Sequence, residues 1–160
     1  MSDVSNDGVK FSVQGLEADI KPLGFYSVAK EFNLAAKLVH AGGEFQLVTY
    51  YLIGHSLELI FKAFLLANGV AVNDLRKKGK FGHDLEKLFL ETKRLGVSSY
   101  VNITPEDEQH LILANSYYNG KEFEYFDTVK CVTGYPNLPD LCVLERLADK
   151  LLDNLYQLCL

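Results

Sequence analysis

Residues 44–68 read EFQLVTYYLIGHSLELIFKAFLLAN. This stretch predicts a helix that is apolar on nearly every side, and such a helix belongs at the centre of a bundle because each of its faces must be covered by another element. Asn68 and Gly69 come at its end and predict a left-handed C-terminal cap. We therefore expect one central helix with amphipathic helices packed around it.

The surrounding helices are predicted from spacing and from capping residues. Upstream, apolar residues recur at steps of three and four from Phe25 to Val39. Downstream, one helix is predicted to begin at His83-Asp84, and another has Thr104-Pro105 as its N-cap and first helical residue. The last helix begins near Asp140, where apolar residues recur at alternating steps of three and four.

The stretch before the last helix lacks the helical period. Between Lys121 and Pro139 the aromatic-rich sequence predicts an extended segment that lies across the bundle. The whole pattern predicts an all-α, up-and-down helical bundle of about five helices, with this short extended segment before the last one. We expect residues 1–22 to form an N-terminal arm and residues 23–160 to form the bundle domain.

Composition limits the class of protein. A chain of 160 residues with 48% apolar and 23% charged residues can bury a core without a disulfide or a metal. The net charge of −5 does not exclude nucleic-acid binding, because lysines and arginines can cluster on one face. Three cysteines without C-x-x-C spacing, no secretory signal, and charges that interrupt the apolar stretch predict a cytoplasmic protein that does not enter a membrane.

Four polar residues interrupt the apolar central helix. Tyr51, His55, Glu58 and Lys62 are spaced by four, three and four, so we expect them to line one stripe of the helix. An ionised glutamate in a core is costly without partners, and Lys62 stands one turn later in the favourable orientation for an ion pair. The stripe is either a structural polar seam or a groove that binds a ligand or a partner.

A basic connection is predicted between the central helix and the next one. We use this name for residues 73–80, which contain Arg76, Lys77, Lys78 and Lys80. His83 follows beside a helix N-terminus, where free N–H groups and the helix dipole attract anions. Arg76, Lys78, Lys80 and His83 therefore form a candidate phosphate-contacting patch, and the alternative is a helix cap with a solvated charge run.

Cofactor and metal motifs are not predicted. Residues 78–82, KGKFG, lack the glycine spacing and the Lys-Ser or Lys-Thr pair of a phosphate-binding Walker loop. His55 and Glu58 form a single H-x-x-E pair, without the second acidic helix pair of a dimetal bundle. We expect neither a cofactor nor a metal.

The chain resembles the HEPN family (higher eukaryotes and prokaryotes nucleotide-binding domains) over roughly residues 23–155. The resemblance is carried by HSLELIFKAFLL at 55–66, GHDLEKL at 82–88 and YNGKEFEY at 118–125. It implies a helical bundle that commonly forms a homodimer, similar to small stand-alone bacterial members.

The resemblance also implies a candidate catalytic pair. HEPN members that cleave RNA carry an arginine and a histidine with four to six residues between them, near the start of the last bundle helix. Arg76 and His83 have six residues between them, but they precede an earlier helix, and the last helix around Arg146 contains no histidine. In such an enzyme His83 is the general acid or base, and Arg76 stabilises phosphate charge.

Three functions follow as expectations. The leading one is a HEPN-like binding and dimerisation module that contacts a nucleotide, an RNA or a partner protein through the basic connection and the polar stripe. One alternative is a metal-independent endoribonuclease that uses Arg76 and His83. The other is a purely structural interaction protein whose exposed aromatic residues, Phe123, Tyr125 and Phe126, form an interface.

Overall fold

A computed structural model describes residues 21–43, 46–125 and 128–160. Within these ranges the chain forms seven α-helices, one short 3-10 helix at Val97–Ser99, and no strand. The helices are α1 Pro22–Gly42, α2 Gln46–Ala67, α3 Val72–Arg76, α4 Leu85–Arg94, α5 Pro105–Tyr118, α6 Thr128–Thr133 and α7 Leu141–Cys159. The predicted all-α bundle is confirmed. Residues 1–20 of the predicted N-terminal arm lie outside the described residues.

The second helix is the centre of the bundle, as its composition predicts. α2 contacts α1, α4, α5 and α7, and its residues Ile53, Leu57, Ile60 and Phe64 are fully buried. The segment Leu47–Ala67 is long and apolar enough to cross a bilayer, with a mean hydropathy of 1.3, but 72% of this window is buried inside the bundle. The core helix of a folded bundle meets the same criteria of length and composition.

The predicted caps begin the helices that carry the candidate site. At the start of α5, the Thr104 hydroxyl accepts a hydrogen bond from the Asp107 N–H at 3.2 Å, and the Asp107 carboxylate accepts one from the Thr104 N–H at 2.9 Å. At the start of α4, the Asp84 carboxylate accepts a hydrogen bond from the Lys87 N–H at 3.1 Å. These local bonds confirm the predicted helix starts and fix where α4 and α5 enter the bundle.

The buried capping acid Asp107 also joins α5 to α7. Lys150 donates to its carboxylate at 2.7 Å, and Arg146 lies 3.4 Å away. Burial by itself raises the pKa of Asp107, but the hydrogen bonds from Lys150 and Thr104 outweigh it and lower the pKa. The anchored N-terminus of α5 determines where the residues further along that helix meet α2.

The sequence pattern missed two short helices. α3 lies at the start of the predicted basic connection, where the fully buried Leu75 packs into the core. α6 occupies residues 128–133, so the prediction of an extended segment is wrong there. Its β-branched residues favour strands, but β-propensity is a weak guide that depends on context. In the helix, Lys130 forms an ion pair with Glu122 and lies 5.4 Å from the Tyr117 ring centre.

Candidate functional site

A buried carboxylate is the centre of the candidate site. Glu58 is only 1% exposed, and one of its oxygens, Oε1, accepts a hydrogen bond from the Lys62 ammonium at 2.5 Å. Its other oxygen, Oε2, accepts one from the Tyr118 hydroxyl at 2.6 Å and lies 3.0 Å from Nδ1 of His83. We call Glu58, Lys62, Tyr118, His83 and His55 the Glu58 cluster.

His55 joins this cluster through Tyr118. Its Nδ1 lies 2.9 Å from the Tyr118 hydroxyl oxygen and 3.6 Å from Oε2 of Glu58. The ring of Tyr51 lies nearly parallel to that of His55 at 5.9 Å, and the ring of Phe32 meets the other side edge-on at 4.5 Å. Tyr51, His55, Glu58 and Lys62 therefore lie along one stripe, as their spacing predicts.

The hydrogen-bond pattern determines which nitrogen of each imidazole carries a proton. An ionised Glu58 only accepts hydrogen bonds, so Nδ1 of His83 is the donor in that contact. Tyr118 has one hydroxyl proton and donates it to Glu58, so Nδ1 of His55 donates to the Tyr118 oxygen. Among the described residues, Nε2 of neither histidine has a hydrogen-bond partner, so both nitrogens can contact another molecule.

Electrostatics keep Glu58 charged and Tyr118 neutral. Burial alone raises the pKa of Glu58, but the nearby His55 imidazole, the Lys62 ammonium and the Tyr118 hydroxyl outweigh burial and lower this pKa to about 2. Burial and the adjacent Glu58 charge raise the pKa of Tyr118 far above the ordinary value of 10.0. At neutral pH the site therefore contains a buried carboxylate–ammonium pair and an intact phenol.

A glycine in the central helix allows Tyr118 to reach Glu58. A Cβ atom built at Gly54 would lie 2.7 Å from Cδ2 of the Tyr118 ring, which is closer than such atoms approach in proteins. Gly54 therefore lets the ring lie directly against α2, one turn before Glu58. Sequence reasoning did not assign Tyr118 to the site, and the signal that pointed to this approach was a glycine within an otherwise strong helix pattern.

Helix α5 also positions His83, through Asn115. The Asn115 side chain accepts a hydrogen bond from the Leu85 N–H at 2.8 Å and donates one to the Asp84 carboxylate at 3.1 Å. Asn115 thus fixes the first turn of α4, and His83 lies immediately before that turn. Tyr118 and Asn115 are on the same helix, so one element positions both the phenol and the His83 turn.

The start of α4 is not the open anion site that the sequence suggested. The N–H groups of Leu85 and Lys87 already donate to Asn115 and Asp84, respectively. The Asp84 carboxylate also adds negative charge there and lies 3.2 Å from the Lys87 ammonium. The expectation of free N–H groups beside His83 is therefore wrong for these two residues, because side chains already satisfy them.

The basic connection contains two kinds of cation. Lys80 is paired with Asp74 at 2.7 Å. The exposed side chains of Arg76, Lys77 and Lys78 form no ion pair or hydrogen bond with any of the residues that the structure describes. These three side chains therefore present positive charge directly to solvent, whereas that of Lys80 is partly neutralised.

A pocket of about 690 Å³ adjoins both the basic connection and the Glu58 cluster. It lies between the first turns of α1 and the middle of α2, and we call it the α1–α2 pocket. Its lining includes Leu23, Phe25, Val28, Leu59, His55 and Arg76. The pocket thus brings together Arg76 from the basic connection and His55 from the polar stripe.

Two sequence expectations concern metals and aromatic residues. In residues 21–43, 46–125 and 128–160, no group of three or more histidine, cysteine, aspartate or glutamate side chains is arranged to hold a metal ion. Phe123 is half-buried between the rings of Tyr50 and Tyr117, so the prediction that it is exposed is wrong; its ring packs against the bundle. Tyr125 is 65% exposed, and Phe126 lies outside the described residues.

We compared the chain with known protein families, curated proteins and solved structures. No protein-family model, no curated protein and no solved structure matches the chain.

Proposed function

We propose that this chain is a HEPN-like helical-bundle module that contacts the phosphates of a nucleotide or an RNA through the basic connection and His83. The observation that carries the proposal is the run of Arg76, Lys77 and Lys78, three exposed cations with no acidic partner among the described residues. In a chain of net charge −5, most cations on α4 are paired with acids, so this run is a local source of positive potential. Phosphate groups are the natural ligands of such a surface.

His83 adds an oriented polar group beside these cations. The side chain is 53% exposed, and its Nδ1 is fixed by the buried Glu58. The other nitrogen, Nε2, accepts a hydrogen bond when the ring is neutral and donates one when the ring is charged. It is therefore suited to contact a phosphate oxygen or a ribose hydroxyl without first losing side-chain freedom.

The salt dependence of RNA binding tests this proposal. We would measure fluorescence anisotropy of a labelled oligouridine of about ten nucleotides, a length typical of single-strand sites, between about 50 and 200 mM salt. Each phosphate contact contributes about 0.7 to the slope of log K against log salt. Replacing Arg76, Lys77 and Lys78 together with alanine is expected to weaken binding and to reduce this slope by up to about 2.

A matched control removes three other cations. Lys87, Lys93 and Arg94 on α4 are each paired with an acid, and their joint replacement by alanine lowers the net charge by the same amount. We expect this variant to bind nearly as the parent does. An equal loss of RNA affinity in both triple variants would mean that net charge alone, and not the basic connection, determines binding. Absent or salt-independent binding by the parent contradicts the proposal and favours a structural interaction protein.

The contact between Glu58 and His83 favours a second candidate, a metal-independent endoribonuclease. A carboxylate that fixes one imidazole nitrogen is a recurrent way to orient a general acid or base, and the distance here is 3.0 Å. Arg76 would offset phosphate charge during cleavage. Cleavage in the presence of a chelator that is abolished by replacing His83 or Arg76 with alanine supports this candidate, and an intact RNA with the parent protein removes it.

Self-association is part of the leading proposal. Leu34 and Leu38 lie one turn apart on α1 and are 52% and 77% exposed. Neighbouring exposed leucines on a long helix are suited to pack against the same helix of a second copy, because that contact removes the leucines of both copies from water. We propose that α1 contributes to a homodimer through these residues.

A further inference from the structure

The α1–α2 pocket has the properties of a ligand site rather than of a packing gap. Its volume of about 690 Å³ falls within the range of about 300 to 1,000 Å³ that is typical of small-molecule sites. Leu23, Phe25, Val28 and Leu59 give it apolar walls. Its polar lining residues are Lys21, Ser27, His55 and Arg76, so a ligand that fills it buries an apolar surface and makes a small number of directed contacts.

The polar groups at the pocket are suited to the edge of a heteroaromatic ring. The pocket is lined by His55, whose Nδ1 is used by Tyr118, so Nε2 is the nitrogen that a ligand meets. The exposed Ser27 also lines it and supplies a hydroxyl that both donates and accepts. Apolar walls and two such groups match a nucleobase, which has an apolar face and a polar edge.

Arg76 connects this pocket to the proposed phosphate surface. It lines the pocket and also begins the run of cations in the basic connection that have no ion-pair partner in the part of the chain that the structure describes. In a nucleotide, one sugar joins the phosphate to the base. When Arg76 holds the phosphate of a nucleotide, the base of that nucleotide is therefore close enough to reach the pocket.

We infer that the α1–α2 pocket receives one unstacked base of a single-stranded nucleic acid or a mononucleotide whose phosphate lies on Arg76. The inference rests on the proposed function and deepens it by naming the form of nucleic acid. A base within a duplex is paired and stacked, and it cannot lie against the walls of this open pocket without being flipped out. The pocket therefore selects single strands over duplexes, while the basic connection alone does not.

A variant that fills the pocket tests this inference. Gly24 lines the pocket in the first turn of α1, and a Cβ atom built there meets nothing within 4 Å. Because the space around that Cβ atom is open, we expect phenylalanine at this position to cover the pocket. Gly42 supplies the matched control, because it is exposed, lies at the other end of the same helix, and also has nothing within 4 Å of a built Cβ atom.

We would compare Gly24→Phe with Gly42→Phe on three labelled probes: an oligouridine, the same strand with its bases removed, and a duplex of equal length. The expected result is that Gly24→Phe weakens oligouridine binding about tenfold, as the loss of one stacked base does. Binding of the abasic strand and the duplex is expected to stay at the parent level. Gly42→Phe is expected to bind all three probes as the parent does.

The outcomes separate this inference from the proposed function. If Gly24→Phe binds oligouridine as tightly as the parent, the base pocket is overturned, although the salt dependence still supports phosphate binding. If the parent binds none of the probes, the proposed function itself fails. Circular dichroism checks the fold of Gly24→Phe, and Ser27→Trp provides a second way to fill the pocket from an exposed position.

The source of the base is distinguished by competition. Uridine monophosphate is added to the complex of the parent with oligouridine. Displacement by the mononucleotide, lost in Gly24→Phe, assigns the pocket to free nucleotides as well as strands. Displacement by unlabelled strands alone, also sensitive to Gly24→Phe, assigns it to a base within a chain. Displacement that is equal in the parent and in Gly24→Phe overturns the inference.

Discussion

Replacing Glu58 with glutamine removes the negative charge of the Glu58 cluster and keeps the size of the side chain. The Lys62 ammonium, in a residue only 6% exposed, then loses its counter-ion. Breaking a buried ion pair by removing one partner typically costs about 3–5 kcal/mol, because the remaining charge stays buried and unpaired. We expect Glu58→Gln to lower the free energy of unfolding by this amount at pH 7.

The same substitution changes how stability depends on pH. The pKa of Glu58 is about 2 in the folded chain, against an ordinary value of 4.5. A lowered pKa means that the unfolded chain binds the proton more readily, so the stabilisation is complete above pH 4.5 and is lost as the pH falls towards 2. Each pKa unit is worth about 1.4 kcal/mol, which gives roughly 3 kcal/mol for this group.

Urea denaturation followed by circular dichroism measures both effects, at pH 7 and in steps through the acid range. Glu108→Gln is the control, because Glu108 is paired with Lys93 at the surface and its loss is expected to cost no more than about 1 kcal/mol. Adding Lys62→Met to Glu58→Gln is expected to restore part of the stability by removing the unpaired charge. A loss of less than about 1 kcal/mol in Glu58→Gln, with the parent's acid dependence retained, would refute a buried and charged Glu58.

Two further predictions concern packing and assembly. Gly54→Ala is expected to destabilise the chain by about 1–3 kcal/mol, because the added methyl group meets the Tyr118 ring. Gly24→Ala, with open space at its Cβ, is expected to be neutral or stabilising by up to about 1 kcal/mol. Thermal denaturation compares the two variants, and equal effects would contradict the close approach of Tyr118. Leu38→Glu is expected to convert the proposed homodimer to a monomer, as measured by sedimentation velocity. Leu90→Glu, at a 52% exposed leucine on α4, is expected to leave the dimer intact. A parent protein that sediments as a monomer would contradict the proposed interface.

Local patterns predicted most of the helices and half of the site. The central position of α2 follows from its apolar faces, and the starts of α4 and α5 follow from Asp84 and Thr104, because these features act within a few residues. The pairing of Glu58 with Lys62 follows in the same way from a spacing of four. The extended segment was predicted wrongly at α6, because β-branched residues favour strands only weakly and their conformation depends on the surrounding structure.

The rest of the site depends on contacts between residues distant in the sequence. Tyr118 is 60 residues from Glu58, and the contact requires the missing Cβ of Gly54 as well as the anchoring of α5. His83 and Glu58 were each singled out from the sequence, but nothing in their spacing indicated that they share a hydrogen bond. Asn115 accepts a hydrogen bond from the Leu85 N–H of α4, a group that we expected to be free, and only the packing of α5 on α4 brings the two together.

Buried Glu58 holds His83 directly, and His55 through Tyr118, with Nδ1 protonated in both rings, so that Nε2 of His83 meets the ligand. Nitrogen NMR of the imidazole rings, recorded at alkaline pH with and without oligouridine, tests it most directly. We expect His55 and His83 both to carry their proton on Nδ1, which is the minor tautomer of free histidine. We also expect the Nε2 signal of His83 to shift when the strand is added, because the neutral nitrogen accepts a hydrogen bond from a ribose hydroxyl. A proton on Nε2 in either ring, or a His83 signal that oligouridine leaves unchanged, would contradict it.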